Sequence, residues 1–453
     1  MRAYRITILA AAAVVVSACG GPLLPEEATY GPNPQLVEPR QSFLPELGVP
    51  KAVGWPPGAQ PVAPEGFSVT RFAEGLDHPR WLYVLPNGDV LVAESSTEAS
   101  SGGGFMGWAR NQVQDRAGAL NVSADRITLL RDGDGDGVAE TRHVFAQNLN
   151  QPIGMALAGG YLYVANTDAL VRFAYQDGQT EVQGEGERVL DLPYHAAGNG
   201  HWTRNVVLNP LGNKLYISVG SVSNVGDEGM AVEEGRAAIH EINLDGTDHR
   251  IFATGLRNPV GMDFNPANGE LWTSVNERDM LGSDLVPDYM TSVADGGFYG
   301  WPYVYWGDHP DPRFEESERP ADLVARVLTP DYALGAHTAS LGLAFYDGAS
   351  FPARYQGGAF VGQHGSWNRR EPSGYQVLFV PFANGEPSGM PEPFLTGFLN
   401  EREEAMGRPV GVTLDGAGAL LVADDAGDII WRVAADNASA APAAPAAAAP
   451  ATP

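Results

Sequence analysis

Residues 256–277, LRNPVGMDFNPANGELWTSVNE, run from a polar loop into an apolar strand, through a Pro/Asn/Gly turn, and into a second strand. The same order of loop, strand, turn and strand recurs along the chain. It appears at 76–95 (LDHPRWLYVLPNGDVLVAES), 149–167 (LNQPIGMALAGGYLYVANT) and 200–221 (GHWTRNVVLNPLGNKLYISVGS). It returns at 337–366 (HTASLGLAFYDGASFPARYQGGAFVGQHGS) and 406–433 (MGRPVGVTLDGAGALLVADDAGDIIWRV). The first strands start near 81, 153, 206, 260, 341 and 410. That spacing exceeds what a bare four-stranded unit needs, so insertions are expected. The strands are short, β-branched or aromatic, and bounded by turns such as PNGD, PLGNK and PANGE. Six such units cannot each bury a face alone, but arranged radially they can, leaving only short protected edges. The pattern predicts an all-β fold, a six-bladed β-propeller with inter-blade insertions.

Working outward, the ends of the chain read differently. MRAYRITILAAAAVVVSACGG has Arg2 and Arg5 before an apolar run from Ile6 to Val16. That is a secretory leader, too short to span a bilayer. Small residues precede Cys19, the only cysteine, which resembles a bacterial lipoprotein cleavage site. The expected division is a leader over 1–18, a lipid-anchored tether and lead-in over 19–64, a propeller over 65–433 and an Ala/Pro-rich disordered tail over 434–453. The expected location is the bacterial cell envelope, periplasm-facing or on the outer membrane, with the lipid as the only membrane contact. One cysteine allows no intrachain disulfide. A net charge of −27 with two lysines, Lys51 and Lys214, argues against nucleic acid as a partner.

If the polar lead-ins all lie at one end of the propeller, they converge on a single central face. They carry His78 and Arg80, Gln151, His201 and Arg204, Arg257 and Asn258, His337 and Thr338, and Arg408. A ring of imidazoles and guanidiniums suits an anionic ligand. It disfavours a metal-dependent lactonase or hydrolase, which needs several carboxylates converging on the axis. A non-catalytic envelope propeller that binds a partner is a further alternative.

The motifs GHWTRN, TGLRNPVGMDF, GGFYGWP and FVGQHGSWNRREPSGYQVLFVPF stand in this order. Through them the chain resembles the soluble glucose/sorbosone dehydrogenases, and most closely their sorbosone dehydrogenase-like branch. These are six-bladed propellers that use pyrroloquinoline quinone (PQQ) and calcium. The resemblance implies oxidation of a sugar, polyol or sugar aldehyde by hydride transfer to the quinone, with His201 as base. It implies Arg257 and Asn258 as cofactor ligands, Arg257 also stabilising charge in the reaction, and Arg408 and His337 facing the cofactor. A cofactor calcium would sit near Arg278 and Asp279, held largely by backbone carbonyls. The family's better-known members contact the quinone with a lysine on the fifth blade. None is available here, where the corresponding stretch offers Gln363, His364, Trp367, Arg369 and Arg370. His364 or an arginine could supply the charge and Trp367 could cover the ring. No C-x-x-C-H haem motif is present, so electrons would leave to a separate acceptor, a cytochrome or quinone.

RDGDGDGVAETRH places Asp132, Asp134 and Asp136 at alternate positions, with Glu140 at the ninth. This matches the first half of a calcium loop. The twelfth position is His143 and no helix pair flanks it, so it is not an EF-hand. A structural calcium and a plain hairpin turn are both compatible with it.

Overall fold

Second strands written VLVAE, LWTSV, AFVGQ and LLVAD are continuous apolar runs because both of their faces are covered. Val90–Glu94, Leu271–Val275, Ala359–Gln363 and Leu420–Asp424 are buried at every residue. Such burial on both faces is what stacking between neighbouring blades requires. The computed structural model describes residues 23–41, 48–97, 122–195 and 200–436. The leader, Cys19 and residues 437–453 of the tail lie outside the described residues.

Six antiparallel sheets form the blades. Their innermost strands are Pro79–Val84, Met155–Ala158, Val206–Leu208, Pro259–Phe264, Ser340–Phe345 and Pro409–Leu414. We number the blades 1 to 6 in that order. Blade 6 takes its outermost strand, Phe67–Glu74, from the other end of the chain, pairing it with Ile429–Ala435 and closing the ring. Excursions use up the extra length. In blade 4 one carries the hairpin Val304–Tyr305/His309–Pro310 and a short helix, Ala321–Val324.

Part of the expected lead-in is woven into the propeller. Tyr30–Gly31 adds a fifth strand to blade 4. Ala52 bridges to Ala405 and Val62 to Thr396. Trp55 packs edge-on against Trp431, with ring centroids 5.1 Å apart.

At the axis the inner strands meet backbone to backbone. A Cβ on Gly342 would fall 2.1 Å from the Val410 carbonyl oxygen, so only glycine permits that approach. Trp81, Ile153, Val260, Leu341 and Val410, one from each of five blades, join Trp202 in one apolar cluster. In blades 1, 4, 5 and 6 the inner strand shifts register within its first residues, just after the polar lead-in. A bulge there re-aims the preceding side chains.

Gly342→Val is expected to destabilise the protein by about 3 kcal/mol or more, through forced separation of two inner strands. Gly416→Ala, which meets nothing within 4 Å, should change stability by less than about 0.5 kcal/mol. Guanidinium unfolding of the two variants checks the contrast, and equal effects would contradict the close-packed axis.

Candidate functional site

The lead-ins do converge, and residues from the ends of the second strands meet them. The contacts can be followed around the mouth. His201 sits on Ser221, whose N–H donates to the Arg257 carbonyl at 2.9 Å. Arg257 donates to the Glu277 carbonyl, and the Glu277 N–H to Asp288. Asp288 accepts from Thr338 and Ser340, and Ser340 from Gln363. His364, the next residue, reaches Asp425, which also holds Arg80. The Arg80 guanidinium lies 5.5 Å from the Trp202 ring centre, next to His201. Blade 2 joins by donating the Gly154 N–H to the Arg204 carbonyl at 3.0 Å.

His201 is half-buried, and its Nδ1 faces the Ser221 carbonyl at 2.9 Å and Ser221 Oγ at 3.0 Å. A carbonyl only accepts, so Nδ1 carries the proton and Nε2 keeps the lone pair. Ser221 Oγ donates to the Ser223 carbonyl at 2.7 Å, which fixes its orientation. Arg204 is fully buried and donates to the carbonyls of His201, Thr203 and Pro193. It braces the loop. Gly220 lies between His201 and Asn258, where a Cβ would meet Asn258 Oδ1 at 2.3 Å and His201 Cβ at 2.6 Å. Asn258 Oδ1 is buried with no hydrogen-bond partner.

Arg257 is largely spent on the protein. Its Nε and Nη2 donate to Asn224, and Nη1 to Asn276 and Glu277. It therefore holds the Asn224–Glu277 loops together, its donors turned to the protein. Nor does the calcium placement at Arg278 and Asp279 fit. The Asp279 carbonyl accepts from Asn224 and Arg278, both at 3.1 Å. Its carboxylate faces His337 at 3.2 Å and Arg257 at 3.6 Å, while Arg278 forks onto Asp311. Two guanidiniums and the His337 imidazole thus already engage the Asp279 oxygens. His337 is correspondingly a partner of this loop. Both ring nitrogens face acceptors, Asp279 and the Gly282 carbonyl. Burial alone would lower its pKa, but Asp279 raises it.

Asp425, which the sequence reading passed over, is the hub on the other side. Its buried carboxylate meets Arg80, His364 Nε2 at 2.9 Å and His78 Nε2 at 3.4 Å. Burial would raise it, yet these partners hold it well below the carboxylate range. Burial pushes His364 down to about 4. Burial thus disfavours its charged form, against the pull of Asp425. Arg80 and Arg408 are the cations that remain. Each is buried with its Nε unpartnered. Among the described residues the Arg408 side chain donates to the Pro50 carbonyl at 3.4 Å, and its guanidinium lies 5.5 Å from the Tyr375 ring centre. Trp367 stands on the rim, 37% exposed, and its carbonyl accepts from Gly48 of the lead-in. Carboxylates thus do converge on this face, contrary to the expected ring of His and Arg alone, but Asp425 and Asp279 are matched by cations.

The Asp132 turn joins the third and outer strands of blade 1. Ligand oxygens of Asp132, Asp134, Asp136 and Glu140 lie within 4.8 Å of one another. The turn rests on the closing strand of blade 6, where the Ala139 N–H donates to the Phe72 carbonyl at 2.8 Å.

A family model described as TrAA12-like matches residues 61–291 and 316–436. An uncharacterized protein of Borreliella burgdorferi is 29% identical over 307 residues, 65% of this chain and 79% of that one. A pyrroloquinoline quinone-dependent sugar dehydrogenase of Hypocrea jecorina is 24% identical over 274 residues, 54% of this chain. The match spans 58% of that relative's length. The calcium structure of the Trichoderma reesei family AA12 enzyme superposes with a TM-score of 0.66 at 21% identity, over 86% of this chain and 99% of that one. The shared fold is the propeller.

Asp425→Asn should cost about 3–5 kcal/mol, because Arg80 is left buried without its counter-charge. His364 titrates lower in the folded chain than its usual value near 6.5. As pH falls from 6.5 towards 4, the unfolded chain takes up a proton that the folded chain refuses, and stability is lost. His364→Gln should flatten that part of the profile, as measured by denaturant unfolding at stepped pH. Asp425 acts in a lower window, its contribution disappearing as pH falls below the ordinary carboxylate value near 4.

Proposed function

The chain belongs to the TrAA12-like family of glucose/sorbosone-dehydrogenase-like propellers, and from that premise we propose that it is a PQQ-dependent dehydrogenase of a sugar, polyol or sugar aldehyde. The observation that carries the reading is the His201 imidazole, fixed in one tautomer and set beside Asn258 across Gly220.

The residues suit the quinone. It is a polycarboxylate, and Arg80 and Arg408 have unspent donors while Asn258 Oδ1 is unpartnered. Gly220 lets His201 and Asn258 approach more closely than any side chain at that position would allow. Arg80, Arg408 and Asn258 would hold the cofactor, which supplies a two-electron acceptor for the substrate carbon.

The protein's own work is proton handling and placement. His201 Nε2 takes the proton of the substrate hydroxyl, and the Ser221 carbonyl stabilises the imidazolium that forms through its bond to Nδ1–H. Arg257 acts at one remove, fixing Asn224 and the Asn276–Glu277 turn that flank Asn258. Electrons then pass to a separate acceptor.

We also propose that Asp132, Asp134, Asp136 and Glu140 hold a structural calcium. Four carboxylates this close repel one another unless a cation lies among them, and oxygen donors suit calcium. Its position against the closing strand makes the role a brace between blades 1 and 6.

His201→Ala should lower kcat/KM with added PQQ and calcium by about 10²–10⁴-fold, with quinone binding, read from its absorbance, retained. Arg408→Ala should weaken quinone binding itself. No absorbance change on adding the quinone to the unaltered protein would overturn the proposal. Separately, millimolar calcium should raise the melting temperature by a few degrees, and Asp132→Asn should abolish that rise.

A further inference from the structure

The far ends of the inner strands form a second mouth that the proposed reaction does not use. The inner strands of blades 1, 4, 5 and 6 end at Val84, Phe264, Phe345 and Leu414, opposite the lead-ins. There they enclose a cavity of about 280 Å³. Its wall is largely aromatic and aliphatic, including Tyr83, Phe264, Phe345 and Leu414, and it contains two carboxylates, Asp263 and Asp347.

Asp263 is fixed in place. One of its oxygens accepts the Phe264 N–H and the other the Phe345 N–H, each at 2.8 Å. What it lacks is a counter-charge. Among the described residues no arginine, lysine or histidine pairs with it, and the one charged neighbour that acts on it is Asp347, of the same sign. Burial, and then Asp347, push its carboxyl up to about 7. At the catalytic mouth the comparable carboxylates Asp425 and Asp279 are met by arginine and histidine. Here that place is left to something outside the chain.

We propose that this far mouth binds an organic cation, an ammonium or guanidinium group carried on a small apolar body. Two carboxylates supply the ion pair, and aromatic walls favour a cation that is weakly hydrated. The same wall disfavours the other ligand classes. A calcium ion needs six to eight oxygens, and the side chains here offer two carboxylates, the Thr413 hydroxyl and a Tyr83 hydroxyl already bonded to the Leu157 N–H. A sugar would find few donors, and an anion would be repelled. The volume suits a short amine or one lysine or arginine side chain, below the usual range for a larger ligand. The cation could be a free amine or a side chain of a partner protein.

Calorimetric titration of the full chain with benzylammonium chloride, and separately with an N-acetylated lysine peptide, tests this. One site is expected at pH 8, with binding at least tenfold weaker in Asp263→Asn. Binding should also weaken at pH 6, because the Asp263 carboxyl must give up its proton to pair with the cation. Binding of the free amine identifies a small-molecule site, whereas binding of the peptide alone identifies a partner's side chain. Asp347→Asn, at an exposed position, provides a second variant if Asp263→Asn fails to fold, and it too should weaken binding. No heat with either probe at pH 8, binding unchanged in both variants, or calcium displacing the amine from this mouth would overturn the proposal. Because the site lies at the opposite ends of the inner strands from the lead-ins, its failure would leave the dehydrogenase reading untouched.

Discussion

The cluster of charges at the lead-in mouth depends on the pairing of Phe67–Glu74 with Ile429–Ala435. A propeller blade gains little by folding alone, since each face is buried by its neighbour and the last must meet the first. Closure by one sheet made from both ends of the chain fixes that final contact. Asp425 follows the second strand of this same sheet, and it draws Arg80 and His78 from blade 1 and His364 from blade 5 onto one carboxylate. The strands that close the ring also set its charges.

Inner strands were legible because their pattern is local. Each polar lead-in, apolar strand and turn lies within about twenty residues, and the observed strands begin at Pro79, Met155, Val206, Pro259, Ser340 and Pro409. The partners of the lead-in residues were not local. Arg80 and Asp425 are 345 positions apart, and nothing in the stretch ADDAGD marks the second aspartate as a hub. One signal was available: every second strand ends at the same mouth as the lead-ins. Reading the residues at and just after the ends of those strands, Glu94, Ser221, Glu277, His364 and Asp425, would have placed them at this mouth.

The missing lysine also looks different once burial is known. A histidine can replace a lysine as a cation only where its charged form is stabilised, and His364 lies where burial outweighs its carboxylate partner. Guanidiniums keep their charge under such conditions, and the chain places two of them there. Some backbone strain accompanies the arrangement. His78, Gln151 and His337 adopt positive φ values of 57°, 47° and 60° at the lead-ins of blades 1, 2 and 5. Three non-glycine residues in the left-handed region at one mouth fit the general clustering of strain where function is built.

The cluster of Trp81, Ile153, Val260, Leu341 and Val410 has a consequence for how the blades can move. It joins residues of five blades, with Trp202 from the remaining one, so none of them can shift without disturbing the packing of the others. The lead-ins that precede those strands are therefore carried on one body and not on separate hinges.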